Sequence, residues 1–268
     1  MKKFFFPFLL VAALFTACTL DNPSDEPDGP AQKRVDVCSI WSVGRTETLD
    51  SLEFDEKGQL SRFLNFEIEY DKPSLLSYST YAYSGNKIEK KTYEVPDGKT
   101  MPGNLLETDS FNLGENGYIV SGKGTIIVEG DIAVDVFNEE YSYDAQGHLV
   151  KIKSKQGDEI TYTYKDDDLV SDSLGFTYTP SGVLASNYWL DDIYNVDTPL
   201  LWMGKFGKLP VHMPAEWSME SDEVSVSGSC EYELEDRRLT GYTYSSIVTS
   251  GYTPSVTNFT IALNWIEH

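Results

Sequence analysis

One pattern recurs along the chain and limits its fold more than any other feature: an aromatic residue, a polar turn closed by Gly, then an aliphatic residue opening an alternating run. Phe54-Asp55-Glu56-Lys57-Gly58-Gln59-Leu60, Tyr143-Asp144-Ala145-Gln146-Gly147-His148-Leu149 and Tyr178-Thr179-Pro180-Ser181-Gly182-Val183-Leu184 share one spacing from aromatic to Gly to Leu. Looser copies follow Tyr83 with Gly85 and Ile88, Tyr164 with Asp166 and Leu169, and Tyr232 with Glu235 and Leu239. Gly at that place accepts the positive φ that a type I turn with a G1 bulge requires. The flanks alternate, as in Thr161-Tyr162-Thr163-Tyr164 and Gly241-Tyr242-Thr243-Tyr244. Alternation of this kind marks antiparallel strands with one buried and one wet face.

Hairpin following hairpin predicts an all-β, antiparallel meander, roughly ten to fourteen strands at the usual strand length. A sheet so wide curls to protect its edges, which predicts a strongly bent sheet or partial barrel. Its outward positions carry Thr, Ser, Lys and Asp, not the apolar band of a lipid-spanning barrel. One stretch breaks the alternation. Asn187 to Glu220 is an aromatic and Pro-rich insertion with Tyr188, Trp189, Tyr194, Trp202, Phe206 and Trp217, and with Pro199, Pro210 and Pro214. Asp197 or Thr198 is placed to cap a short helical turn over Pro199-Leu200-Leu201-Trp202. Such a segment either plugs the open core of the barrel or lines a ligand cleft with Trp189, Trp202 and Trp217.

The N-terminus carries its own signals. Lys2 and Lys3 precede an apolar run from Phe4 to Ala17, the length of a signal-peptide core and too short for a bilayer span of about 20 residues. The run ends Leu14-Phe15-Thr16-Ala17-Cys18, which resembles the lipobox of bacterial lipoproteins, although Phe15 stands where Leu is usual. That resemblance implies removal of residues 1–17, acylation of Cys18 and attachment to outer-membrane lipid, since two or three acyl chains anchor stably. Residues 18–33 are rich in Pro, Asp, Gly and Ser and predict an extended acidic tether. Asp21, Asp25 and Glu26 resemble the surface-export signal of Bacteroidetes-type lipoproteins, which implies display on the cell exterior. Residues 34–268 then form a single β domain.

Composition excludes several functions. The chain has 21 Lys and Arg against 43 Asp and Glu, a net charge of −22, and no basic run or stripe. Such a surface repels phosphate backbones and anionic membranes, so nucleic acid is not a partner. Cys38 and Cys230 lie near the two ends of the domain and are either a disulfide or two buried thiols. Neither belongs to a Cys-x-x-Cys pair, and no zinc or other metal site is expected. Of the three histidines, His148 falls in a hairpin turn, where a solvated side chain is expected, His212 lies between prolines and His268 ends the chain. No Gly-x-Ser-x-Gly elbow, phosphate loop or dinucleotide fingerprint occurs, so no catalytic residue and no cofactor are assigned. Asp166-Asp167-Asp168 lacks the pattern of a calcium loop and predicts a turn.

The strict repeat units look like the tyrosine-aspartate repeats of wall-associated proteins. From about Phe54 to the C-terminus, with the Pro199-Leu200-Leu201 insert, the chain is similar to a Bacteroidetes lipoprotein family of unknown function with a porin-like fold. The resemblance implies a curled antiparallel sheet on a lipid tether and carries over no catalytic residue. Asp50-Ser51-Leu52 and Asp172-Ser173-Leu174 resemble an O-glycosylation acceptor of the same bacterial group, making Ser51 and Ser173 candidate glycan carriers. The expected function is that of an outer-membrane, lipid-anchored envelope protein with an interaction or structural role. The alternative is a glycan-binding lipoprotein of a polysaccharide-acquisition system, and a glycoside-active enzyme ranks third. Exposed aromatics in a row would mark the second, and carboxylates with displaced pKa in a cleft the third.

Overall fold

The computed structural model describes residues 34–41, 47–69, 72–96, 101–128, 132–185, 191–194, 196–221, 224–235, 238–250 and 253–267. Along them run β1 (Arg34–Trp41), β2 (Glu47–Phe54), β3 (Leu60–Glu69), β4 (Lys72–Ser84), β5 (Lys87–Glu94), β6 (Asn104–Leu113), β7 (Ile119–Val128) and β8 (Ile132–Tyr143). There follow β9 (Leu149–Ser154), β10 (Glu159–Lys165), β11 (Asp168–Asp172), β12 (Thr177–Leu184), β13 (His212–Glu220), β14 (Val224–Glu235), β15 (Arg238–Ser250) and β16 (Thr253–Glu267). Two short helices, α1 (Asp191–Tyr194) and α2 (Thr198–Trp202), lie between β12 and β13. Every strand pairs antiparallel with its neighbours in sequence, and β1 pairs with β16 from Val35↔Glu267 to Trp41↔Ile261, so the meander closes into a barrel.

The repeat unit builds its turns through Asp as much as through Gly. Asp55 Oδ1 accepts from the amides of Lys57 and Gln59, Gly58 N donates to Asp55 O, and Gly58 takes φ +73. Asp144 does the same for Gln146 and His148 around Gly147. The third unit of this geometry is Asp172 with Leu174, Phe176 and Gly175, a spacing the sequence repeat did not include. The copy beginning at Tyr178 is instead part of β12, whose pairing with β13 shifts register at Pro180. Proline offers no ladder donor, and the Pro180↔Pro214 pair opens the ladder instead of turning it. The strand count accordingly exceeds the expected range. The insertion is also shorter than the sequence suggests: residues 212–220 are β13, in which Glu216, Ser218 and Glu220 are exposed and Trp217 and Met219 half-buried.

Inward side chains from the wall, among them Leu52, Ile88, Phe111, Tyr141, Ile152 and Leu169, form one core with Tyr194, Leu200, Leu201, Trp202 and Phe206 of the insertion. Burying each such side chain contributes about 1.5–3 kcal/mol. The opposite faces of the same strands are wet, as Glu159, Thr163 and Lys165 are beside the buried Tyr162 on β10. Inside the wall, aromatic rings take the space of missing side chains: Phe137 lies where a Cβ on Gly124 would stand, and Trp217 does the same at Gly228. Small residues under large rings let strands bend sharply enough to close a barrel. A second cluster, Leu64, Tyr78 and Val95 with Phe66, Leu75 and Tyr93, lies on the other face of β3–β5.

Candidate functional site

The interior is organised around Asp197, the residue before α2. Its backbone is extended, and its Oδ1 accepts from the Leu200 amide at 2.9 Å, capping the helix while Pro199 occupies the first turn. The other oxygen, Oδ2, accepts from Lys90 Nζ at 2.8 Å. Lys90 belongs to the wall, on β5, and its ammonium also lies 3.1 Å from Asp109 Oδ2 and 3.8 Å from Glu107 Oε2 on β6. These positions follow from the register. Ile88↔Phe111 is a core pair, so Lys90↔Asp109, two residues on in each strand, faces inward as well.

Beside this cluster lies a cavity of about 330 Å³, bordered by Lys90, Asp109, Phe137, Glu139, Tyr141 and Val196. It sits farther from the hairpin turn 85–86 than Ile88 does, on the side of α2 away from the repeat turns. Asp109 is 2% exposed. Burial pushes its pKa up to about 6, against the downward pull of Lys90. Burial also works against the charge of Lys90, but Asp197 and Asp109 outweigh it and hold the ammonium above the ordinary lysine range. Tyr141 OH donates to Glu139 Oε2 at 2.7 Å. Asp109 Oδ1 is buried with no hydrogen-bond partner among the described residues.

A second set of contacts ties the tail of the insertion to the repeat turns. Lys208 N donates to Gly147 O, and Lys208 Nζ lies 2.9 Å from Asp167 Oδ2. Asp168 accepts from the amide of His212 at 2.8 Å and lies 3.0 Å from its Nδ1. Asp166 and Asp167 take φ +54 and +66, the two left-handed residues of a tight hairpin turn. His148 is not solvated: it is 1% exposed, its ring stacks on Tyr164 at 4.5 Å, and Nδ1 lies 3.0 Å from Asp144 Oδ2. The alternation that marked the strands stops at this turn, so the inward course of the imidazole had no signature. Deeper in, the hydroxyls of Tyr164 and Tyr194 meet at 2.7 Å and Tyr162 OH donates to Tyr194 O.

The residues singled out from sequence do not converge. Trp189 and Cys18 lie outside the described residues. Trp202 is 7% exposed inside the plug, edge-on to Phe63 at 5.9 Å. Trp217 is a half-buried wall residue, stacked on Tyr244 at 4.9 Å, and it borders a cavity of about 340 Å³ with Thr177, Thr179, Glu216 and Ser229. Where side chains are described, no aromatic is exposed, and several, Trp217 and Tyr244 among them, are half-buried. Cys38 is on β1 and Cys230, buried, on β14, with β16 and β15 between them. Three strand spacings of about 4.8 Å exceed the ~7 Å that disulfide-linked Cα atoms tolerate, so the strand order does not bring the two together; the side chain of Cys38 lies outside the described residues. Ser51 is 0% exposed, which closes it to glycosylation in the folded protein. Ser173 is exposed in the β11–β12 turn, its hydroxyl accepting from the Thr161 amide at 2.9 Å. No group of three or more His, Cys, Asp or Glu is placed to hold a metal among the described residues. Lys90, Glu107, Asp109 and Glu139 were not anticipated; their one signal is charge at inward positions of an alternating strand.

No known protein family matches the chain, and no curated protein matches it. Among solved structures, a porin-like protein from Bacteroides uniformis superposes with a TM-score of 0.61 at 12% identity, over 87% of this chain and 96% of that one. A porin-like protein from Bacteroides vulgatus gives 0.49 at 15% identity, over 85% and 96%. The fold is therefore a porin-like, curled all-β fold.

Proposed function

We propose that the chain is a lipid-anchored envelope protein whose plugged barrel is an interaction or structural module and not a conduit. The carrying observation is the pairing of a buried insertion with polar outward positions on β10 and β13: Leu200, Leu201 and Trp202 are buried inside, while Glu159, Thr163, Lys165, Glu216, Ser218 and Glu220 are exposed. A barrel held in lipid needs an outward apolar band about 25 Å tall, whereas a barrel held beside the membrane by acyl chains needs none. Porin-like neighbours from Bacteroides support the envelope assignment. β1 starts at Arg34, opposite Glu53, hence at the end of the barrel bearing the β2–β3 turn.

The test is acyl labelling in a Bacteroides host with an alkyne-bearing palmitate. Wild type is expected to incorporate label, fractionate with outer membranes and be digested by protease added to whole cells; Cys18→Ala is expected to lose the label and become soluble. Unlabelled wild-type protein in the soluble fraction would overturn the reading.

A further inference from the structure

We infer that the cavity beside the plug is a binding site for a small organic cation, an aliphatic amine or diamine. Four carboxylates, Glu107, Asp109, Glu139 and Asp197, border one cavity with a single ammonium, Lys90, to balance them. The excess negative charge sits in a cavity partly open to solvent, where attraction is still screened less than on the outer surface.

Three observations choose the ligand. The cavity, at about 330 Å³, falls within the size of small-molecule sites. Asp109 is 2% exposed and its Oδ1 has no hydrogen-bond partner among the described residues, which leaves acceptor capacity that Lys90 does not use. A bare metal ion does not suit the place, because no three His, Cys, Asp or Glu converge to ligating geometry among the described residues. Phe111, Phe137 and Tyr141 supply aromatic wall instead. Aromatic rings attract alkylammonium groups by their faces and cover the methylenes between charges. An amine with a short apolar stem satisfies both kinds of wall; an anion meets the carboxylates, and a neutral molecule leaves their charge uncompensated.

The experiment is titration calorimetry of the full-length chain in detergent with 1,4-diaminobutane, at about 150 mM salt so that the acidic surface is screened. Butane-1,4-diol and magnesium chloride serve as neutral and inorganic controls. Saturable diamine binding, absent for the diol and not displaced by magnesium, is expected, and Glu139→Gln and Asp109→Asn should each weaken it at least tenfold. Should one variant fail to fold by circular dichroism, the other carries the comparison. Absence of saturable heat up to millimolar diamine overturns the inference, as does affinity unchanged in the folded variants or full displacement by magnesium, either of which assigns binding to the acidic surface.

Discussion

Lys90 and Asp197 meet at 2.8 Å inside the barrel, the first from the wall and the second from the segment that fills it. The carboxylate divides its work, one oxygen holding the amide of Leu200 and the other the ammonium of Lys90. The apolar contacts of Leu200, Leu201 and Trp202 drive the segment inward but are indifferent to a small slide or rotation. A charged hydrogen-bonded contact is directional, so it fixes where the helix begins relative to β5.

Removing the ammonium should therefore be costly. Lys90→Met leaves Asp109 and Asp197 largely buried without their counter-charge, and a loss of about 3 kcal/mol in urea unfolding is expected. Hydrogen exchange should rise most in 198–209. A variant as stable as wild type would show that the pair contributes nothing net.

Asp109 makes the stability depend on acidity. Its folded pKa, about 6, lies above the ordinary aspartate value, so between these values the folded chain holds more protons than the unfolded one. The favourable effect of this group is complete below the unfolded pKa and is lost as pH rises through about 6. Asp109→Asn removes that titration. Its stability relative to wild type should increase by up to about 3 kcal/mol between pH 4 and pH 7. Parallel curves for the two proteins over that range would contradict the assignment.

Trp202→Ala should behave as a core deletion. The side chain is packed against Phe63 within the plug, and such truncations cost about 3–5 kcal/mol. Any loss of ligand binding in that variant will track loss of fold, which a thermal melt reveals. An unchanged melting temperature would place the indole outside the core.

Two glycines make a matched pair. A Cβ at Gly124 runs into the ring of Phe137, so Gly124→Ala should cost about 1–3 kcal/mol through overpacking. Gly182 has open space around it and an ordinary φ, and Gly182→Ala should stay within about 0.5 kcal/mol of wild type. A cost at Gly124 as small as that at Gly182 would mean that the inner wall has room to give.

The fold was legible because it is written locally. Asp55 with Gly58 and Asp144 with Gly147 each specify a turn within five residues, and Thr161 to Tyr164 show both faces of a strand. The same cue misled at Tyr178, where proline and glycine sit in a strand that shifts register, and it overlooked Asp172 because the aromatic before it is missing. The interior site left almost no local trace. Lys90, Asp109 and Asp197 come from three separate segments, and only the register of β5 on β6, together with the seating of α2, brings them within reach. Trp202, one of the three candidate ligand residues, is used for packing, as burial of a large ring is tryptophan's commonest employment.

The seam between β1 and β16 has a consequence for how the protein is made. Val35 pairs with Glu267, so β1 finds one of its two neighbours only after the fourteen strands that separate them in sequence have been made. Intermediate strands can join as hairpins while the chain emerges, but the ring stays broken and β1 keeps one bare edge throughout. Premature termination anywhere upstream of β16 thus yields a curled ribbon with two unpaired edges, prone to pair with its own kind.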